Sequence, residues 1–441
     1  MSTTTSPLAE INVLETLLSS DGFVPSIPNS IEECGIAATT VEGLVMKYLL
    51  QFGARSGRNI AQRLCLPFGI LESLLDKMKT RRILVHTGHA PLNDYLYALT
   101  ETGINRAKSA YKSCSYVGPC PVPLEDYINS VEAQSVRAET PRQEDLRRAF
   151  ADISVEADMM EVLGPAVNSG AGLFLYGAAG NGKTTLARQM TRCFSQDIWI
   201  PHVVVEDGQF VKLSDPAYHV EVESEGPQLV RDNDHDTRWI RIRRPLVVVG
   251  GELTMIDLEI RHDPTSNICE APLQMKSNCG CLLIDDFGRQ RIQSDELLNR
   301  WIVPLEERCD FLTLPTGKKI QVPFDQLIIF STNLNPSDLA DDAFLRRLPY
   351  KIEVHDPKPQ EFHKLFSAMC RKHGCQYRKE AVDYLMDKHY RPSGRPLRRC
   401  HPRDLIIQIR NLCAYHNRPL ELQPAYIDRA VKSYFAAFSG T

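Results

Sequence analysis

No uninterrupted apolar stretch in this 441-residue chain approaches the ~20 residues that cross a bilayer, so a helical membrane span is excluded. The first residues also lack a basic segment followed by an apolar core. No secretory signal is therefore expected, and the expected location is cytoplasmic. Cysteine is present but unpatterned: there are thirteen, an odd number, with no Cys-x-x-Cys pair. That argues against a disulfide framework or a zinc ribbon and for reduced thiols. Cys370, His373 and Cys375, followed later by Cys400 and His401, miss the usual zinc-ligand spacings and read as small helical residues near a turn. Charge of one sign is lacking as well. A net charge of −4 names no partner by itself.

What is present is ordinary for a soluble globular protein: 43% hydrophobic and 24% charged residues, over a length that suggests two to four domains. One segment is not ordinary. Gly177, Ala178, Ala179, Gly180, Asn181, Gly182, Lys183 and Thr184 fit GxxxxGK[ST], follow the apolar run Leu173–Tyr176, and open a helical pattern at Thr185. Glycines let the backbone turn tightly enough for successive N–H groups and a helix N-terminus to surround a triphosphate. Lys183 supplies charge and Thr184 a Mg²⁺ ligand. The expected cofactors are ATP and Mg²⁺.

Residues 1–35 are rich in Ser, Thr and Pro and read as a flexible arm. Residues 36–115 show helical patterns over Val41–Phe52, Asn59–Leu64 and Phe68–Arg81, then two β-like runs, Ile83–His86 and Tyr95–Leu99. Three helices and a two-stranded ribbon make a winged helix, and the run Tyr97–Ala107 resembles the strand, turn and final helix that end many bacterial winged-helix domains. This span carries eleven Lys and Arg against five Asp and Glu, a surplus of six. Phosphate attraction follows from such a surplus. Yet the third helix offers Glu72, Ser73 and Asp76 before its first lysine, a poor face for reading bases. Protein docking is therefore favoured over nucleic-acid binding for this domain.

A Pro-rich linker and helix occupy 116–145, a P-loop core 146–355 with an inserted β element at about 200–265, and a helical lid 356–441. Within the core, Cys281–Asp286 is a buried-strand run ending in two carboxylates. Asp285 is placed to hold Mg²⁺. The apolar run Leu327–Thr332 closes on Asn333, an amide suited to orient the attacking water. Asp341–Leu348 and a mostly helical tail containing His401–Leu405 follow.

In this order the constellation resembles the AAA+ ATPases over about residues 145–441. The resemblance implies an α/β fold, a P-loop AAA+ core of parallel sheet flanked by helices, with a C-terminal helical lid and the N-terminal winged helix. Asn333 matches sensor 1, Arg346 and Arg347 fall where that family carries an arginine finger, and Arg403 sits where sensor 2 belongs. Arg398 and Arg399 are close competitors for that last role. An arginine finger implies a homo-oligomeric ring. Ser277–Gly280 and a hairpin pattern over Phe311–Val322 bring the chain nearest to the MoxR-like, hairpin-bearing branches, whose members often remodel other proteins. The resemblance thus implies a chaperone-like ATPase acting on an unidentified protein partner, the alternative being an ATP-regulated DNA-binding regulator or loader.

Two departures from the family stand out. Asp286 replaces the usual Glu that polarises the attacking water, setting the carboxylate back by one C–C bond, ~1.5 Å, although replication initiators of the same class also carry Asp there. The second is the interval of 102 positions between Lys183 and Asp285. It holds two β-like runs about Asp207 and Gly208, and an arginine-bearing strand pattern over Trp239–Pro245. Arg241, Arg243 and Arg244 read as a solvated strand face in preference to a pore or substrate grip. Glu252 reads as a structural hydrogen-bonding residue after a glycine pair.

Overall fold

The computed structural model describes residues 22–153, 155–194, 196–222, 235–339 and 342–435. Most of the expected arm, the middle of the β insertion and Asp341 lie outside the described residues. The chain begins with α1 (Ala38–Phe52), β1 (Arg55–Ser56), α2 (Gly57–Leu64), α3 (Phe68–Thr80), β2 (Leu84–Ala90), β3 (Asp94–Leu99) and α4 (Glu101–Ser113). The ribbon expected to have two strands has three, in the order β1-β3-β2, all antiparallel. Two residues are too short to leave a periodic trace, which is why β1 escapes a sequence reading. Asp94, 2% exposed, accepts hydrogen bonds from Gly57 and Arg58 N–H and so places a carboxylate at the start of α2. Gly103 lets α4 close on the strand below it, since a Cβ there would stand 2.2 Å from the Ile83 carbonyl oxygen.

Next come β4 (Val122–Pro123), α5 (Leu124–Ala133), α6 (Gln143–Ala149), α7 (Ala157–Asn168), β5 (Leu173–Tyr176) and α8 (Lys183–Thr191). The long interval then supplies β6 (Ile198–Pro201), β7 (Val203–Glu206), β8 (Gln209–Lys212), β9 (Trp239–Ile242), β10 (Leu246–Val249), β11 (Arg261–Asp263), β12 (Ile268–Glu270) and α9 (Leu273–Lys276). β7 and β8 pair antiparallel about Asp207 and Gly208, whose φ of 50° and 72° suit a tight hairpin turn. They belong to a second sheet of order β11-β12-β8-β7-β4, while β6 pairs with β9. Arg241 and Arg243 are exposed, Arg241 paired with Asp197. Arg244 is not on a solvated face: it is buried against Glu139 and the Gln134 and Cys279 carbonyls. Alternation carries through it, so Arg244 falls on the buried side with Ile242 while Arg241 and Arg243 face out, and its side chain needs those partners.

The remaining elements are β13 (Cys281–Ile284), α10 (Ser294–Glu307), β14 (Cys309–Thr313), β15 (Lys319–Pro323), β16 (Leu327–Thr332), α11 (Asp342–Leu345), β17 (Tyr350–Glu353), α12 (Pro359–His373), α13 (Lys379–Leu385), α14 (His401–Tyr415) and α15 (Pro424–Tyr434). β14 and β15 form the hairpin expected between Phe311 and Val322. A five-stranded sheet has the order β10-β13-β16-β5-β17, with β5 parallel to both of its neighbours. The three inner strands β13, β16 and β5 are nearly continuous buried apolar runs, as an α/β P-loop core with helices on both faces requires, whereas the edge strand β17 exposes Lys351 and Glu353.

Two compact units divide the chain: Met1–Thr140 with Phe194–Leu282 and Glu296–Leu327, and Pro141–Cys193 with Leu283–Asp295 and Ile328–Thr441. The first holds the N-terminal helices, the inserted sheet and the β14-β15 hairpin. The second holds the phosphate loop and the four C-terminal helices. Those helices have their own core, in which Phe362, Phe366 and Cys370 of α12 meet Leu405, Ile406 and Ile409 of α14. Among the described residues no helix is long and apolar enough to cross a membrane.

Candidate functional site

Parallel strands deliver their C-terminal ends to one edge, where ligands of α/β sheets bind. The register here aligns Thr332 of β16 and Glu353 of β17 with Tyr176 of β5. The loops that begin at Gly177, Asn333 and Val354 therefore start side by side.

The phosphate loop turns through three glycines in the left-handed region, Gly177 (φ 130°), Gly180 (85°) and Gly182 (83°). Two are also required by close approach. A Cβ on Gly177 would lie 2.7 Å from the Val354 oxygen, and one on Gly180 would lie 2.6 Å from Cys400 Sγ. Gly182 then caps α8, whose first residues are Lys183, Thr184 and Thr185.

Lys183 is 7% exposed and its Nζ donates to Gly177 O (2.8 Å), Ala178 O (3.2 Å) and Asn333 Oδ1 (2.6 Å). Burial lowers its pKa, Asp285 and Asp286 oppose that, and Arg398 reinforces it. Thr184 Oγ1 donates to Asp285 Oδ2 at 2.8 Å. A hydroxyl and a carboxylate in contact are a hard-oxygen pair, and Mg²⁺, which takes one or two protein ligands and fills its octahedron with water and phosphate, fits them. Asp286 adopts φ 50°, and its Oδ1 accepts from Asn333 Nδ2 at 3.2 Å. It is fixed from behind by Phe287, which is 1% exposed and whose N–H donates to Ser331 O. The loop after β5 and the ends of β13 and β16 thus converge through Lys183, Asp285, Asp286 and Asn333.

These groups line a cleft of about 540 Å³. Ala179, Gly180, Asn181, Gly182 and Thr185 line it too, while Gly177 and Ala178 lie outside that lining and accept from Lys183 through their carbonyls. Part of the lining is apolar. Ile153, Val155, Met159, Leu365, Ala368 and Met369 contribute to it. The last three recur at helical spacing on α12, on a stripe beside the core-facing Phe362, Phe366 and Cys370. Sequence reasoning missed all six, because an apolar residue in a helical pattern carries the same signal whether it meets a core or a ligand.

Of the arginines, Arg403 lines the cleft and is 60% exposed, its Nε held by Asp404 at 2.8 Å. Arg399 lines it as well, with its guanidinium 3.5 Å from Glu361. Arg398 is paired with Asp356. Arg346 is exposed and Arg347 half-buried in the turn after α11, and neither lines the cleft. Glu252 accepts from Gly250 N–H at 3.0 Å, a local structural bond.

A family model described as "Domain of unknown function (DUF8689)" matches residues 358–433, the span of the four C-terminal helices. No curated protein matches. Among solved structures, a RuvB variant from Thermotoga maritima is similar at 11% identity with a TM-score of 0.36, covering 68% of this chain and 72% of that one. A second variant matches at 11% and 0.36, covering 67% and 70%. The Thermotoga maritima RuvB Holliday junction branch migration motor matches at 13% and 0.34, covering 69% and 72%. Strand order, register and loop geometry define the α/β P-loop fold independently of these similarities.

Proposed function

We propose that this chain is an ATPase of the AAA+ kind that binds ATP with Mg²⁺ in the cleft and hydrolyses it to remodel or assemble a protein partner. One observation carries the reading: one cleft is lined both by Lys183, Thr184, Asp285, Asp286 and Asn333, groups suited to phosphate and metal, and by apolar side chains such as Ile153, Met159, Leu365 and Met369, suited to a base. The loop N–H groups and the start of α8 receive the phosphates, with Lys183 exchanging its carbonyl partners for phosphate oxygens. Thr184 and Asp285 would hold Mg²⁺, which when bound supplies positive charge to the phosphate oxygens. Asn333 orients the attacking water and the Asp286 carboxylate accepts its proton.

Arg347, or Arg346 beside it, acts on the site of a neighbouring copy, so the assembly is a homo-oligomeric ring, of MoxR-like or hairpin-bearing type. Arg403 senses the nucleotide from the lid. The N-terminal helices and ribbon form a winged helix that docks the partner. All thirteen cysteines stand outside disulfides, which suits a cytoplasmic location.

ATP turnover by the wild type, Lys183→Ala and Arg347→Ala tests this. Lys183→Ala is expected to lose binding and turnover together. Arg347→Ala is expected to keep binding and lose about 10³-fold in turnover, the lower range for an arginine finger. Equal rates in all three proteins would sink the proposal.

A second reading, an ATP-regulated DNA-binding regulator or loader, is favoured by the surplus of six positive charges over 36–115. Against it, the exposed face of α3 mixes Glu72, Ser73 and Asp76 with Lys77 and Lys79. Mixed-sequence duplex binding whose affinity falls steeply with salt would promote this reading over protein docking.

A further inference from the structure

Asn181 sits at a variable position of the phosphate loop, yet it is 1% exposed and its amide is fully engaged. Its Nδ2 donates to Asp356 Oδ1 at 2.7 Å and to Val354 O at 3.3 Å, and its Oδ1 accepts from Arg399 N–H at 3.4 Å. None of these partners belongs to the loop. Val354 and Asp356 lie in the segment that leads from β17 into α12, and Arg399 in the segment that leads into α14. One buried side chain is thus tied to both of the connections through which the chain passes into the helical lid.

The surroundings repeat the link. Cys400 N–H donates to Gly180 O at 2.9 Å, and Asp356 also pairs with Arg398. Val354 N–H donates to Tyr176 O at 2.8 Å, and the Val354 carbonyl leaves no room for a side chain at Gly177. The loop is therefore held between the segments that precede α12 and α14. If α12 and α14 rotate about the segment after Val354, the Asn181 amide must either move the loop with them or give up its bonds, which is costly for a side chain that is itself buried.

We propose that Asn181 is a positioning residue that couples nucleotide occupancy to lid orientation, acting through Asp356 and Arg399. This rests on the nucleotide reading of the cleft and adds to it a transmission element between loop and lid. Because coupling between two sites is reciprocal, an ATP-bound loop stabilises one lid position and that lid position strengthens ATP binding by the same factor.

The test is backbone hydrogen exchange of the full chain with and without ATP and Mg²⁺, alongside ATP affinity, in the wild type, Asn181→Ala and Asp356→Ala. In the wild type ATP is expected to slow exchange both in the loop with α8 and in the peptide covering 397–401. Both variants are expected to keep the first effect, lose the second, and bind ATP about tenfold more weakly. Asp356→Ala leaves the loop sequence intact, so it decides the matter if Asn181→Ala does not fold. A purely structural role would lower the melting temperature while leaving the ATP-dependent change at 397–401 as in the wild type; that result, with unchanged affinity, overturns the proposal. Failure of the wild type to bind ATP would instead overturn the nucleotide reading, and this inference with it.

Discussion

Asp286 shows how backbone conformation decides which carboxylate a site accepts. Its φ of 50° lies in the left-handed region, where Asp is tolerated because its short side chain bonds locally. Here Asn333 Nδ2 already reaches Asp286 Oδ1, so the shorter side chain is met by its partner rather than left back from the reaction. A glutamate at this backbone position would carry the carboxylate past Asn333. Asp286→Glu is therefore expected to lower ATP turnover by roughly tenfold or more, on the scale of a 1 Å misplacement, while leaving ATP affinity intact. Steady-state phosphate release measures it, and a faster enzyme would refute the argument. The identities of Lys183, Thr184, Asp285 and Asn333 were legible in sequence, because each stands at the end of an apolar strand run or just inside a helix start. The left-handed turn at Asp286 was not, since no glycine marks it.

At the scale of the element, α14 opens with a buried histidine. His401 is 7% exposed, bonded through Nδ1 to Tyr390 OH at 2.9 Å, and ringed by Tyr434 and Phe435. Burial, with Arg398 adding to it, pushes its pKa down to about 4 from 6.5. The unfolded chain thus binds more protons between those values. The neutral ring stabilises the C-terminal helices fully above pH 6.5, and that contribution fades as pH falls towards 4; its size is about 3 kcal/mol. Thermal unfolding followed from pH 7 to pH 4 should show this loss, and His401→Gln should flatten it. α12 explains why the C-terminal helices were only half legible. The tail reads from sequence only as mostly helical, and on α12 two adjacent apolar stripes, one carrying Phe362 and Phe366 and the other Leu365 and Met369, are not told apart by that reading.

For the whole molecule, the proposed ring makes the strongest demand, because the arginine and the site it serves then belong to different copies. Lys183→Ala retains Arg347, and Arg347→Ala retains an intact cleft. Mixing the two variants is expected to restore turnover that neither has alone, through mixed interfaces that pair a competent cleft with a competent arginine. A coupled ATPase assay over a range of mixing ratios measures this, with a maximum at intermediate ratios. Mixtures that stay at the rate of their components, although light scattering shows them assembled, would place the arginines outside the reaction.

The sequence by itself determined the chemistry of the polar lining of the cleft and the strands that carry it, because GxxxxGK[ST] and apolar runs ending in carboxylates or an amide are local patterns with local physical causes. It also announced the hairpin at Asp207 and Gly208 for the same reason. Only the tertiary structure decided that Asn333 meets both Lys183 and Asp286, through a parallel register in which Thr332 stands level with Tyr176. It alone turned Asn181 towards Asp356, buried Arg244, and brought Ile153 and Met159 into one cleft with Leu365 and Met369. The hydrogen-bonded pairs among these juxtapositions are from 35 to 175 residues apart in sequence, and hydrophobic periodicity, which repeats within a few residues, says which face of an element is buried but not which distant face it will meet.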